Sequence, residues 1–244
     1  LPADYLINVD SELNRHYTDC FGGPDAAHSS FSRLQKGINF AMTSFLSTGG
    51  IRGSERARKS FQPRSFNMGL SKKAFLSTGG FGNIHPGEDP DLVLRLHKKG
   101  FKTQFIEKAY VYHKRRISWS KFAKQVYKFG KVRPILNQWH PHSRKLVFWL
   151  PTLFLLGFLT AITVALVGFP WLLYLYGFYF ILIFITALTV ERDLLTSTYS
   201  VIGVFIQLIC YGYGFLISTL LLIFSGKEPK ALFPELFFEN AKKL

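Results

Sequence analysis

Gly87-Glu88-Asp89-Pro90-Asp91-Leu92-Val93-Leu94-Arg95-Leu96-His97-Lys98-Lys99-Gly100 decides how this chain is read. It spells a helix by its ends. Asp89 is a good N-cap, Pro90 suits the first helical position, and Asp91 favours the positive end of the helix dipole. Lysines and then Gly100 close the helix in the order expected of a C-terminus. Two accounts of the carboxylates stay open on the residues alone. They are an acidic cap on a three-turn helix, or acid–base groups at a loop–helix junction facing a cleft.

Downstream, Lys102–Ile106 and Lys108–Tyr112 alternate as short strands, followed by His113 and the basic run Lys114-Arg115-Arg116. Ser118–Gly130 then places Phe122, Val126 and Phe129 on one side of a helix, with Lys121, Lys124, Lys128 and Lys131 around them. Basic amphipathic helices of this kind lie on anionic membrane surfaces, a solvated face being the plainer alternative. Upstream, Phe31, Leu34, Ile38, Ala41, Met42 and Phe45 recur at helical spacing. Tyr5–Val9 reads as a short strand or as the start of a helix to about His16, and Phe21-Gly22-Gly23-Pro24 as a turn. Ser-Thr-Gly-Gly occurs at 47–50 and again at 77–80 with different flanks, which predicts two similar turns; a basic loop runs from Thr48 to Arg64.

The chain has 244 residues, with 30 Lys+Arg against 15 Asp+Glu and 48% apolar residues, which excludes disorder and collagen-like structure. Cys20 and Cys210 are too few for a disulfide framework or a Cys-rich zinc site, and read as buried thiols. The charge is divided unevenly. Residues 1–145 hold 25 basic and 10 acidic side chains, whereas residues 146–244 hold 5 of each. The second part carries three uncharged apolar runs, 146–169, 171–190 and 201–224, each near or above the roughly 20 residues that cross a bilayer as a helix. The expected organisation is therefore a basic domain over 1–135, with its interfacial helix near 118–130. A basic linker at 136–145, transmembrane helices within 146–225 and a tail at 226–244 follow. Arg144 and Lys145 at the first boundary place the basic domain in the cytoplasm by the positive-inside bias. Three crossings would then send the tail to the other face, in conflict with its Lys227, Lys230, Lys242 and Lys243. No ionisable residue interrupts the runs, which argues against a transporter or channel.

In order along the chain, Phe66-Asn67-Met68-Gly69-Leu70-Ser71, Gly79-Gly80-Phe81, Gly87-Glu88-Asp89-Pro90-Asp91-Leu92 with Arg95 and Gly100, Ala109-Tyr110-Val111-Tyr112-His113 and Gln125-Val126-Tyr127-Lys128-Phe129-Gly130 resemble the membrane-bound family 2 glycosyltransferases. The resemblance covers roughly residues 1–135. It implies an α/β fold: part of a GT-A, Rossmann-like domain, followed by about three transmembrane helices. It further implies an inverting hexosyltransferase that moves a sugar from a nucleotide-sugar donor to a saccharide or lipid-linked acceptor. Its setting would be cell-surface polysaccharide or glycolipid assembly at the cytoplasmic face of a bacterial inner membrane. Residue by residue, Asp89 falls on the family's base and Glu88 beside it. Asn67, Asp91, Arg95, Gln125 and Lys128 fall on substrate-binding positions, and His113 on a position that helps hold the metal–diphosphate.

The departures are informative. Lys128 and Phe129 stand where processive members carry Arg and Trp, which points to single-sugar transfer, because Lys lacks the planar guanidinium fork and Phe the indole donor. The divalent metal, Mg²⁺ or Mn²⁺, is implied by the resemblance alone. Asp10-Ser11-Glu12 imitates the family's Asp-x-Asp motif, but Pro2 and Tyr5-Leu6 fit residues that follow it. The motif and the nucleotide-binding half are thus expected upstream of Leu1, with this chain a C-terminal part. The rival function is a membrane scaffold whose basic domain binds anionic lipid without catalysis. Nucleic acid is not an expected partner, since Arg52–Arg64 carries no recognised binding motif.

Overall fold

The computed structural model describes residues 1–49 and 61–238; most of the basic loop between Thr48 and Arg64 lies outside the described residues. In chain order the described elements are α1 (Tyr5–Arg15), β1 (Cys20–Gly22), β2 (Asp25–Ala26), α2 (Arg33–Thr43), α3 (Phe45–Thr48), β3 (Met68–Leu70) and α4 (Lys72–Thr78). There follow α5 (Glu88–Lys98), β4 (Thr103–Phe105), β5 (Val111–Tyr112) and α6 (Trp119–Trp139). The apolar helices α7 (Leu150–Leu166), α8 (Trp171–Glu191) and α9 (Leu194–Phe224) lead to the short α10 (Pro229–Leu232). The chain is a mixed α/β protein with small sheets and three long apolar helices, as expected.

These elements form two compact units that interleave along the chain. The first gathers residues 1–28, 61–113 and 228–238, and the second residues 29–49 and 114–227. This differs from the contiguous division expected at residue 135. The reason lies in the amphipathic helices: Ile38, Ala41 and Met42 of α2 and Phe122 and Val126 of α6 share one core with Ile183, Ala187, Val204 and Leu208 of the apolar helices.

In the first unit β1 is the central strand. It runs antiparallel to β3, with Cys20 opposite Leu70, and parallel to β4, with Cys20 opposite Thr103. β2 and β5 pair in parallel. The strands expected at 102–106 and 108–112 are thus present but do not pair with each other. Phe21-Gly22, expected to turn, belongs to the central strand instead. Its glycines serve close approach: a Cβ on Gly22 would sit 2.5 Å from the Asn67 carbonyl oxygen, and one on Gly23 would collide with that of Ala109. The two Ser-Thr-Gly-Gly stretches do behave alike, since Gly49 and Gly79 end α3 and α4 at φ 61° and 75°. Cys20 is fully buried beside Ala74, Leu92 and Leu96, and burial, then Asp19, pushes its thiol up to about 12. Both cysteines are unpaired.

The second unit is built on α9, where glycines mark the crossings. A Cβ on Gly203 would meet Ala41 and Gly37 of α2, one on Gly212 the Pro151 carbonyl of α7, and one on Gly214 the Tyr127 carbonyl of α6. Gly130 of α6 answers by abutting Tyr211. Small residues let helix backbones approach closely and bond across: Ser218 Oγ donates to the Lys131 carbonyl at 2.7 Å, and Thr152 Oγ1 to that of Gly212 at 3.0 Å. Among the described residues, three helical stretches are long and apolar enough to cross a membrane: Leu146–Leu166, Trp171–Glu191 and Leu194–Phe224. The third starts about two turns before the expected 201, because Thr196, Ser197 and Ser200 are buried rather than looped out. Likewise α6 passes through Pro134 to Trp139, so the expected linker at 136–145 begins inside a helix.

Candidate active site

The site is assembled on the loop between α4 and α5. Ser71 caps α4 by accepting from Ala74 N–H at 3.1 Å, and α4 ends in Gly79 and Gly80, both at positive φ. Arg95, one turn from the end of α5, reaches back to this turn. Its guanidinium donates to the Thr78 carbonyl at 2.6 Å, to the Gly80 carbonyl at 2.8 Å and to Asp91 Oδ2 at 2.8 Å and 3.0 Å. A Cβ on Gly82 would lie 2.6 Å from that same Asp91 oxygen, so the turn closes directly over the pair. Asp91 and Arg95, expected at substrate positions, are therefore turned on each other and on the loop.

α5 begins at Glu88, not after it. Gly87 occupies the N-cap at φ 121°, a conformation that favours glycine, and no side chain caps the helix. Asp89 is accordingly inside the first turn instead of at the expected N-cap, and its carboxylate is not spent on its own helix. Asp89 Oδ1 and Glu88 Oε2 are buried and have no hydrogen-bond partner among the described residues. The other Glu88 oxygen, Oε1, lies 3.0 Å from His85 Nδ1. Burial raises the Asp89 carboxyl above its usual range; Arg64 and hydrogen bonds from Ser65 oppose that rise, and Glu88 adds to it.

Arg64-Ser65-Phe66-Asn67 ties these groups together. Arg64 and Ser65 act on Asp89, and Phe66 stacks on His113 with centroids 4.0 Å apart. Asn67 is buried; it accepts from Tyr5 OH at 2.6 Å and donates to the Ala109 carbonyl at 2.8 Å, which fixes α1 and the approach to β5. Arg64 and Ser65 were not singled out by sequence; their place just before Phe66-Asn67 was the available signal. A second missed element is the chain after α9. Phe233 and Leu236 are buried in the first unit, His85 N–H donates to the Leu236 carbonyl at 2.8 Å, and Phe238 N–H donates to Asn83 Oδ1 at 2.9 Å. This tail clasps the segment that leads into Glu88 and Asp89.

The remaining candidates stand on other elements. Gln125 and Lys128 are half-buried on α6, in the second unit. Asp10 and Glu12 stand on α1, where Asp10 accepts from Asn14 and Glu12 pairs with Arg15. No three His, Cys, Asp or Glu side chains converge as a metal donor set among the described residues. His113, whose N–H donates to the Ala26 carbonyl at 3.2 Å, is a single imidazole and does not make such a site by itself. A shallow cavity lined by His16–Asp19 and Gly100–Lys102 contains none of the candidate residues.

Two neighbouring carboxylates, each with a buried oxygen lacking a partner among the described residues, thus stand at a braced loop of an α/β unit, in a chain that also carries helices of membrane-crossing length. The family model for glycosyl transferase family group 2 matches residues 65–226, more than half of the chain. The chain belongs to that family and is a glycosyltransferase. The match takes in Asn67, β3, α5 and the three apolar helices; residues 1–64, counted in the resemblance, fall outside it. No curated protein matches the chain.

Proposed function

We propose that this glycosyltransferase moves a hexose from a nucleotide-sugar donor to an acceptor hydroxyl, with inversion, and that Asp89 is the general base. The reading rests on one observation above the others: Asp89 keeps a buried carboxylate oxygen without a partner among the described residues, while Asp91, two residues on, is paired to Arg95. In a single displacement the acceptor oxygen bonds to the anomeric carbon as the bond to the diphosphate breaks. Asp89 takes the hydroxyl proton. Glu88, held through Oε1 by His85, raises the affinity of Asp89 for that proton. Asn67, Asp91 and Arg95 contribute by positioning the loops.

The acceptor is a saccharide or a lipid-linked saccharide, reached at the cytoplasmic face of the membrane during polysaccharide or glycolipid assembly. A Mg²⁺ or Mn²⁺ ion for the diphosphate would need carboxylates other than those described, with His113 as the one imidazole matched to it. The test is transfer from a panel of labelled nucleotide sugars by membranes carrying the chain and its Asp89→Asn variant. Loss of transfer with membrane binding intact is expected, as is an inverted anomeric configuration in the product. An Asp89→Asn variant that retains full transfer refutes the base. A chain that binds anionic vesicles but turns over no donor favours the scaffold.

A further inference from the structure

The chain leaves its first unit after His113 and re-enters it at Glu228. Between those points lie the three helices of membrane-crossing length. Three full crossings would deliver the residues after α9 to the face opposite the first unit. Yet Phe233 and Leu236, 2% and 0% exposed, are part of that unit's interior, joined to it through His85 and Asn83. A folded body is not threaded by a bilayer, so the number of crossings is even.

We propose that α7 and α8 form the crossing hairpin and that α9 lies in the plane of the membrane face, with its exposed apolar stripe in lipid and its other flank under α2 and α6. Length is the first reason. The stretches through α7 and α8 have 21 residues each, but α9 has 31, about 46 Å of helix against roughly 30 Å of hydrocarbon. The second reason is what surrounds α9. Leu195, Ile202, Phe205, Tyr213, Leu220 and Phe224 are exposed along one side. The opposite side is covered by α6 from Trp119 against Tyr199 to Lys131 against Ser218, and by Gly37 of α2 at Ser200. Those covering helices carry exposed Arg33, Lys121 and Lys124, cations that belong at headgroup depth. The flank of α9 from Tyr199 to Ser218 is therefore held near the surface. A basic upper layer over an apolar lower stripe complements an anionic leaflet.

Topology is read by reacting single cysteines with a membrane-impermeant maleimide in intact cells, in a Cys210→Ala background that keeps the buried Cys20. Val167→Cys, at the tip between α7 and α8, is expected to react from outside. Lys73→Cys in the first unit and Lys230→Cys in the tail are expected to react only after permeabilisation. Opposite accessibility of Lys73→Cys and Lys230→Cys would mean an odd number of crossings and would overturn the proposal. A Val167→Cys shielded together with both would overturn the hairpin. Nitroxide labels at Phe205→Cys and Leu220→Cys, about 22 Å apart along the helix, should report similar immersion depths; depths on opposite sides of the midplane would overturn the in-plane placement. The proposal rests on membrane association, and a chain stripped from membranes by carbonate would defeat that reading itself.

Discussion

Asp89 and Asp91 are two carboxylates in the first turn of one helix, and they meet opposite fates. Asp91 is 5% exposed and has a guanidinium bonded to it, and that guanidinium also holds the carbonyls of Thr78 and Gly80. Asp89 is half-buried with one oxygen lacking a partner among the described residues, and Glu88 beside it has the same deficit. Leaving a buried polar atom unpaired costs about 1–3 kcal/mol, so the proposed base is the carboxylate that its surroundings satisfy less completely. On the proposed reading, Asp91 builds the loop and Asp89 is what the loop presents.

The strongest way to break the contrast is Asp89→Asn. Transfer should fall by roughly 10²–10⁴-fold, the usual contribution of a positioned general base, measured as initial rate with saturating donor. Stability should move the other way. Because the folded state raises the Asp89 pKa, the stability linked to its protonated form is complete below the unfolded value and lost as pH rises through the folded one. At neutral pH the ionised carboxylate is thus a cost that Asn removes, and the melting temperature should hold or rise. A large drop would make Asp89 structural.

Arg95→Ala should do the reverse, costing about 2–4 kcal/mol by leaving the Asp91 charge buried and the turn carbonyls unpaired. Arg95→Lys should recover little, since one ammonium cannot reproduce a fork that bonds a carboxylate and two carbonyls. Thermal unfolding of both variants checks this. Unchanged stability in Arg95→Ala would erase the distinction between the two carboxylates.

The sequence disclosed much of one side of this comparison. The acidic start, lysine-rich end and Gly100 marked α5, and uncharged length marked α7 and α8. It misplaced the N-cap because Gly87 turns at a φ set by the loop it closes, and no periodicity encodes that. It started α9 late because Thr196-Ser197-Thr198 resembles a linker until α2 is seen to bury it. Pro134 resembles a helix stop, yet α6 passes it, with Ser218 bonded to the Lys131 carbonyl in the same turn. The tail was beyond reach. Phe233-Pro234-Glu235-Leu236 has no pattern that points to His85, some 150 residues earlier.

That tail offers the next test, because it bonds to Asn83 and His85, on the segment that leads into Glu88 and Asp89. Leu236→Ala removes a fully buried side chain and should cost about 2–4 kcal/mol of clasp stability. Hydrogen exchange should quicken at Asn83–Gly87 while the strand amides at Cys20–Gly22 stay protected. Uniform loss of protection would mean the tail supports the whole unit rather than the loop.

The finest effect lies in the pH profile of transfer. Asp89 must be ionised to accept a proton, and burial raises its pKa, so the acidic limb should sit above the ordinary Asp value of 3.8. Arg64 opposes the rise, so Arg64→Gln should move that limb to higher pH. Glu88 adds to the rise, so Glu88→Gln should move it lower, with any loss in maximal rate counted separately. Opposite displacements from two neutral isosteres on either side of one carboxylate are what a titrating Asp89 requires, because a limb set by substrate ionisation or unfolding would ignore the sign of the charge removed.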